Sequence, residues 1–115
     1  MLGGKDMTEM TLREVCQEIG VSRRAVQGYE KANLVSATGK NNRGHLLYND
    51  IAQKRIRQIK LFQDMGFSIK EIQIIIDGSS HILRPALIEQ EKKLNENIAH
   101  NHAMISIIQE MLKTL

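Results

Sequence analysis

The sequence predicts a mainly α-helical fold, in which several short helices precede one long C-terminal helix. Aromatic residues make up only 3% of the 115 residues, and residues that suit helices, such as Leu, Met, Gln, Glu and Lys, are frequent. Helix-capping signals recur at short intervals before residue 80. After Pro85 the chain continues to Leu115 without a Gly or Pro. We therefore expect one small helical domain followed by one long element.

The composition restricts the environment of the protein. Cys16 is the only cysteine, so no internal disulfide can form, and a reducing, cytoplasmic location is favoured. No segment approaches the ~18 consecutive apolar residues of a membrane-spanning helix, and residues 1–10 lack the apolar core of a signal peptide. We expect residues 1–10 to form a disordered N-terminal lead, and we expect no membrane partner.

The first two helices are predicted from their ends. Thr11 and Glu14 form the T-x-x-E pattern of a capping box, and Gly20 ends the helix that begins there. Ser22 is a preferred N-cap and begins a second helix that continues through Glu30. The first helix has an apolar stripe at helical spacing, formed by Leu12, Val15, Cys16 and Ile19. Two short helices joined by a turn with Gly are typical of a helix-turn-helix, whose second helix enters the major groove of DNA.

The second helix has an apolar face and a polar face. Val26 and Tyr29 are expected to pack inward, whereas Arg23, Arg24 and Gln27 are expected to face outward. Arg and Gln side chains offer bidentate hydrogen bonds, so these three residues are candidates for contacting base edges or phosphates. Many small helical hairpins have similar caps, so an ordinary hairpin is the alternative at this point.

A β-hairpin is predicted over residues 33–48. Leu34–Val35 and Leu46–Tyr48 are short apolar runs, and the residues between them include a polar, basic, turn-forming tip at 38–44. A hairpin with Lys40 and Arg43 near its tip, directly after a helix-turn-helix, is typical of a wing. The alternative is an ordinary connecting loop.

Two further helices complete a predicted DNA-binding domain over residues 11–78. Asn49 caps the third helix and Gly66 ends it, while Ser68 and Glu71 repeat the capping box before a fourth helix that closes near Gly78. The predicted inward positions of the third helix are Ile51, Ile56, Ile59, Phe62 and Met65. Those of the fourth helix are Ile69, Ile72, Ile75 and Ile76.

The last helix is predicted to begin at Pro85, after a linker over residues 79–84, and to run through residues 85–115. Spacings that alternate between four and three residues connect Leu87, Glu91, Leu94, Ile98, Asn101, Ile105, Ile108, Leu112 and Leu115. Strict heptad spacing over four heptads predicts a coiled coil, and a helix of ~30 residues extends about 45 Å, so the expected partner is a second copy of the chain. Asn101 can fix the register of such a pair. The alternative is that this helix folds back on residues 11–78.

The net charge of +3 conceals a basic block in the middle of the chain. Between Arg23 and Lys60 there are nine Lys and Arg residues and two acidic residues, which gives a local net charge of +7. The flanking segments are neutral or acidic. A surface that binds a polyanion requires this distribution, although a solvated basic surface is the alternative.

Three blocks of the sequence resemble the MerR family of bacterial transcriptional regulators. Residues 19–30, IGVSRRAVQGYE, resemble the family's recognition segment, and residues 43–51, RGHLLYNDI, resemble its wing and the helix start that follows. Residues 65–72, MGFSIKEI, are closely similar to the family's LGFSLEEI block. The resemblance covers residues 10–78, and residues 85–115 are similar to the family's antiparallel coiled-coil dimerisation helix.

The resemblance implies a winged helix-turn-helix homodimer that binds a pseudo-palindromic promoter operator. It implies that the protein distorts an overlong promoter spacer so that RNA polymerase can engage the promoter. The implied DNA-binding residues are Arg23, Arg24 and Gln27 at the major groove, Tyr29, Arg43, His45 and Tyr48 at the DNA backbone, and Lys60 near a phosphate, with Lys40 among the remaining cations. The implied dimerisation residues are Leu87, Leu94, Ile98, Asn101, Ile105, Ile108, Leu112 and Leu115.

The chain also departs from the family pattern. Gly28 stands where the family has Tyr, Gln27 where it has Arg, and Leu46 where the wing usually has Arg. The chain resembles a short form of the family without a C-terminal ligand domain, and no Cys lies near the end of the last helix, which disfavours thiolate metal sensing. His100 and His102 are two residues apart on one helix and therefore face different directions, so no metal site is predicted.

The leading hypothesis is a homodimeric, DNA-binding transcriptional regulator without a cofactor. An enzyme is not expected, because the sequence has no Gly-rich phosphate loop, no paired-carboxylate constellation, and no Ser or Cys beside a His that could be poised as nucleophile and base. Two alternatives stay open. One is an architectural DNA-binding or recombination accessory protein, and the other is an adaptor whose coiled coil binds a different protein.

Overall fold

A computed structural model describes residues 9–115 and contains five helices and three short strands in that range. In chain order these are β1 (Met10–Thr11), α1 (Leu12–Val15, continued by a π-helical turn over Cys16–Gly20), α2 (Arg23–Lys31), β2 (Gly39–Lys40), β3 (Leu46–Tyr48), α3 (Asp50–Asp64), α4 (Ile69–Ile75) and α5 (Ser80–Lys113). The predicted fold class, a mainly helical winged helix-turn-helix with a second helix pair and a long C-terminal helix, is confirmed.

The predicted capping residues determine where the first helix of the helix-turn-helix begins and ends. The Glu14 amide donates to Thr11 Oγ1 at 3.3 Å and the Thr11 amide donates to Glu14 Oε1 at 2.9 Å, so both bonds of the capping box are present. Gly20 ends the turn with φ +81°, a conformation that favours Gly. The last turn of this helix is a π-helical turn, which is wider than the α-helical turn that the sequence predicted. Only Val15 of the predicted apolar stripe is fully buried.

A three-stranded antiparallel sheet with strand order β1-β3-β2 forms the wing and connects it to the start of α1. Met10 pairs with Tyr48 and Thr11 with Leu47, whereas Gly39 pairs with Leu47 on the other side. The predicted disordered lead is therefore wrong at Met10, because β3 offers an edge with which this segment pairs. The remainder of that prediction, over residues 1–8, lies outside the described residues.

The hairpin is shorter than predicted. Its first strand is Gly39–Lys40, whereas Leu34–Val35 lies in the connection that follows α2. Leu34 is buried there, and its carbonyl accepts a 2.8 Å hydrogen bond from Arg55 Nε. The apolar character of this segment thus reflects packing onto α3 and does not reflect strand pairing.

Helices α3 and α4 pack against the helix-turn-helix and supply six of the fourteen buried apolar residues in the described part of the chain. Phe62 and Phe67 meet edge to face with their ring centroids 5.8 Å apart, and Gly66, at φ +106°, allows the chain to reverse between them. Ile51, predicted to face inward, is 77% exposed, because it lies about 140° around the helix axis from Ile56. The buried apolar residues are Val15, Val26, Tyr29, Leu34, Leu47, Tyr48, Ala52, Ile56, Ile59, Phe62, Phe67, Ile72, Ile75 and Ile76.

The chain divides into two units, and the second, Asp77–Leu115, contains α5. The predicted linker over residues 79–84 is wrong, because α5 already begins at Ser80, with Ser79 as its N-cap. The amides of Ile82 and Leu83 donate to the Ser79 carbonyl at 3.0 and 2.9 Å, which forms the first turn. Pro85 cannot donate to the carbonyl four residues before it, but the helix-forming residues on both sides continue the helix through this position.

Candidate nucleic-acid interface

The N-terminal half of α2 presents a polar face. Ser22 caps the helix, with the Ala25 amide donating to its Oγ at 2.9 Å. Val26 and Tyr29 are buried on the inner face, and Arg23, Arg24 and Gln27 are exposed on the outer face, as the sequence predicted. Gly28 and Lys31 extend the same exposed surface toward the end of the helix.

Two tyrosines expected at the DNA backbone lie beneath this surface instead. Tyr29 is 2% exposed and donates its hydroxyl to Gln63 Oε1 at 2.6 Å, whereas Tyr48 is 0% exposed and donates to the two carboxylate oxygens of Glu30 at 3.1 and 3.3 Å. Sequence periodicity predicts on which face of a helix or strand a tyrosine lies, but it does not predict which group accepts the hydrogen bond from the tyrosine hydroxyl. These side chains connect α2 to α3 and β3, so they position the exposed residues of α2.

The pKa values of both hydroxyls reflect this burial. Desolvation raises the pKa of Tyr48 to about 12, with further contributions from the neighbouring Glu30 carboxylate, while Arg23 acts in the opposite direction. Burial also raises the pKa of Tyr29, assisted by the negative charge of Asp64. Both tyrosines are therefore neutral hydrogen-bond donors throughout the physiological pH range.

The wing tip has a defined backbone conformation that one side chain maintains. Asn41 Oδ1 accepts hydrogen bonds from the amides of Arg43 and His45 at 2.9 and 3.0 Å, and Gly44 completes the turn at φ +80°. Lys40, Arg43 and His45, all predicted interface residues, are exposed around this turn. At the base of the wing, Thr38 Oγ1 accepts from the Asn49 amide at 2.7 Å, which joins the wing to the start of α3.

A cleft of about 480 Å³ lies where α1, α2 and the wing meet. Arg13, Arg23 and His45 contribute basic side chains to its walls, and Leu46 contributes an apolar one. Arg13 is not among the predicted interface residues, because the sequence signals of its helix are the caps and the apolar stripe. Its exposed position between the two residues of the capping box was the available signal.

Lys60 occupies a different position from the other predicted cations. Its side chain lies 2.8 Å from Asp64 Oδ2 on the next turn of α3, in an i,i+4 ion pair. A shallow cleft beside this pair also contains Arg57 and Ile19. By contrast, no ion pair involves Arg13, Arg23, Arg24, Lys40 or Arg43 within residues 9–115. Their charges are therefore unneutralised by carboxylates of the described residues.

The second unit presents an apolar stripe along α5. Within the single chain, Leu94, Ile98, Ile105 and Ile108 are between 42 and 54% exposed, and Met104 and Met111 widen the stripe in the C-terminal half. Asn101 lies on the same stripe, and Leu115, the last predicted dimerisation residue, follows the end of the helix and is 97% exposed. Leu87 and Leu112 are exposed as well.

The part of the chain that the structure describes contains neither a metal-binding cluster nor a membrane-spanning helix. Residues 9–115 contain no cluster of three or more His, Cys, Asp or Glu side chains that could hold a metal ion. No helix in that range has the length and apolarity needed to cross a membrane.

Comparisons with known proteins agree with this geometry. The family model described as "MerR HTH family regulatory protein" matches residues 10–79. The HTH-type transcriptional activator mta of Bacillus subtilis is 28% identical over 101 residues, which are 88% of this chain and 39% of that protein. A transcriptional regulator of the MerR family from Bacillus cereus has a similar structure, with a TM-score of 0.79, 28% identity, and coverage of 92% of this chain and 81% of that one.

A second similar structure has been solved with nucleic acid. HiNmlR, described as a MerR family regulator lacking the sensor domain and bound to promoter DNA, is 22% identical, with a TM-score of 0.65 and coverage of 85% of this chain and 79% of that one. At this identity the likeness concerns the fold alone. The chain spans about two fifths of the length of the first curated relatives that it matches.

Proposed function

The chain belongs to the MerR family of helix-turn-helix regulatory proteins, and from this premise we propose that it regulates transcription by binding promoter DNA as a homodimer. The observation that carries the proposal is a set of exposed cations on α1, the start of α2 and the wing that form no ion pair with any residue in the range 9–115. They are Arg13, Arg23, Arg24, Lys40 and Arg43. Cations without protein counter-ions bind phosphates at little cost, because no existing ion pair has to break.

Helix α2 is the element that reads DNA sequence in this proposal. Arg23, Arg24 and Gln27 project from its first two turns, the part of a recognition helix that approaches base edges in the major groove. Arg pairs with two acceptors of guanine and Gln with the acceptor and donor of adenine, and each good bidentate pair discriminates by about 1–3 kcal/mol. Lys40, Arg43 and His45 of the wing contact the adjacent backbone, which fixes the register of α2 on the duplex.

The apolar stripe of α5 supports the homodimer. A helix of 34 residues extends about 51 Å and exposes a periodic apolar surface that water disfavours. A second copy of the same helix, packed antiparallel, covers that surface with matching residues, and Asn101 selects the register. Two DNA-binding units related by a two-fold axis then recognise a pseudo-palindromic operator.

Regulation in this proposal proceeds through the shape of the promoter. Two recognition helices and two wings hold the flanks of the operator, so the DNA between them bends or untwists to fit the dimer. The energy of that deformation depends on the spacer sequence and controls whether RNA polymerase engages both promoter elements.

The oligomeric state tests the dimer directly. We expect the purified chain to sediment as a dimer and Ile98→Lys combined with Ile105→Lys to sediment as a monomer, because both side chains are about half exposed in the single chain and are free to change without disturbing its core. Ala103→Lys, on the opposite face of the same helix, is the matched control and leaves the dimer intact. A monomeric starting protein would contradict the proposal.

The DNA preference tests the regulatory function. Selection from a random duplex pool should recover a sequence with dyad symmetry, and transcription in vitro from a promoter with that sequence should change on addition of the protein. Recovery of no preferred sequence would contradict sequence-specific regulation. Tight binding without a change in transcript would favour an architectural role.

A further inference from the structure

We propose that the cleft between α1, α2 and the wing binds one phosphate of the DNA backbone, and that Arg13 supplies the principal contact. The inference rests on the proposed DNA-binding function and specifies a part of the interface that the motifs do not predict. Arg13 lies outside the three sequence blocks that resemble the family and is not among the predicted interface residues, and only the folded arrangement brings it beside Arg23 and His45.

The walls of the cleft come from three elements. Thr11 caps α1, Leu12 and Arg13 lie in its first turn, Arg23 begins α2, and Gly44, His45 and Leu46 belong to the wing. In helix-turn-helix proteins the first helix crosses the DNA backbone while the second enters the groove. A ligand in this cleft is therefore a backbone group, because α1 supplies one of its walls.

Electrostatics favours an anion in the cleft. Two guanidinium groups and an imidazole line it, and no carboxylate of the described residues does. The nearest acidic group in sequence, Glu14, accepts hydrogen bonds from the Thr11 amide at 2.9 Å and from the Thr11 hydroxyl at 3.2 Å, so it serves the capping box. A phosphodiester fits the planar donors of Arg, which bind two of its oxygens at once.

The walls are preorganised. Pairing of Thr11 with Leu47 joins the start of α1 to the strand that carries Leu46, and Asn41 fixes the backbone at His45. Side chains on connected elements need little rearrangement to bind a ligand, which lowers the entropic cost of association. Leu46 lies in the cleft at the wing position where the family usually has Arg. Because α1 is joined to the wing, Arg13 can supply from α1 the positive charge that the wing lacks at this position.

The test compares Arg13→Gln with Lys70→Gln, which removes the same charge from an exposed position on α4, away from the cleft. DNA affinity is measured by fluorescence anisotropy on the selected operator and on unrelated duplex DNA. Arg13→Gln should weaken both complexes by a similar factor of roughly tenfold, since a phosphate contact carries no sequence information. It should also reduce the slope of log K against log salt by about 1 per protomer.

A compensating substitution separates a direct contact from a structural effect. Arg13→Gln combined with Leu46→Arg returns a guanidinium to the same cleft from the wing and should regain most of the lost affinity. If Arg13→Gln binds as tightly as Lys70→Gln, or if it weakens binding without any change in the salt slope, the phosphate site is wrong although DNA binding stands. If the unaltered protein binds neither duplex, the proposed function itself fails.

Discussion

Replacement of Tyr48 by Phe tests whether the buried tyrosine holds α2 in place. Phe fills the same volume but removes the hydroxyl that donates to Glu30 at 3.1 and 3.3 Å. A hydrogen bond to a charged group contributes about 1.5–3 kcal/mol, and the length of these bonds and the partial exposure of Glu30 favour the lower end. We expect Tyr48→Phe to lower the free energy of unfolding by about 1–2 kcal/mol at pH 7.

The pH dependence of this difference makes the prediction specific. The pKa of Tyr48 is about 12 in the folded protein and 10.0 ordinarily, so the unfolded chain releases the proton first as the pH rises. The folded state keeps the full contribution of Tyr48 below pH 10 and loses about 1.4 kcal/mol for each pH unit between 10 and the folded pKa of about 12. The phenylalanine side chain of the variant does not ionise. The stability advantage of the unaltered protein should therefore shrink to near zero by about pH 11.

Urea unfolding of both proteins at pH 7 and pH 11, followed by circular dichroism, measures the two differences. All other titrating groups are common to the two proteins and cancel in the comparison. Equal stability at pH 7 would refute the hydrogen bond, and a difference that persists unchanged at pH 11 would refute the raised pKa.

Substitutions at three further positions test other parts of the interface and its scaffold. Gly28→Ala should raise the free energy of unfolding by about 0.5–1 kcal/mol in urea titrations, because a Cβ at this helical position meets no described atom within 4 Å apart from its chain neighbours and the backbone of its own helix. A decrease would mean that the helix needs the glycine. Asn41→Ala should weaken DNA binding with little loss of thermal stability, whereas Asn41→Asp, which keeps an acceptor oxygen for the wing turn, should retain the turn in amide NMR spectra. Asp64→Asn should strengthen DNA binding, most at low salt, by releasing Lys60 from its ion pair; unchanged affinity would remove Lys60 from the interface.

The elements of the fold followed from local signals in the sequence. The capping boxes at Thr11 and Ser68 and the glycine at position 66 determine where helices begin and end through contacts within a few residues, and the structure contains each of them. The strand at Met10 could not be predicted in this way, because its partner is 38 residues later in the chain. The helical residues before Pro85 were missed because one proline removes one hydrogen bond and does not necessarily end a helix.

The parts of the candidate interface that depend on local signals could also be predicted from the sequence, whereas those that depend on distant residues could not. The outward direction of Arg23, Arg24 and Gln27 follows from helical periodicity, and the exposure of Arg43 and His45 follows from the turn that carries them. The directions of the Tyr29 and Tyr48 hydroxyls depend on Gln63 and Glu30, which are distant in sequence. The cleft at Arg13 depends on three elements meeting, and no single segment encodes it.

The salt dependence of DNA affinity tests the central claim most directly. With two or more phosphate contacts per protomer, the slope of log K against log salt for a dimer should be about −4 or steeper, and Arg23→Gln combined with Arg24→Gln should weaken binding and make the slope shallower. Lys70→Gln should leave both quantities unchanged. An affinity that does not vary with salt, or a double variant that binds operator DNA as tightly as the unaltered protein, would contradict the assignment of this surface to DNA.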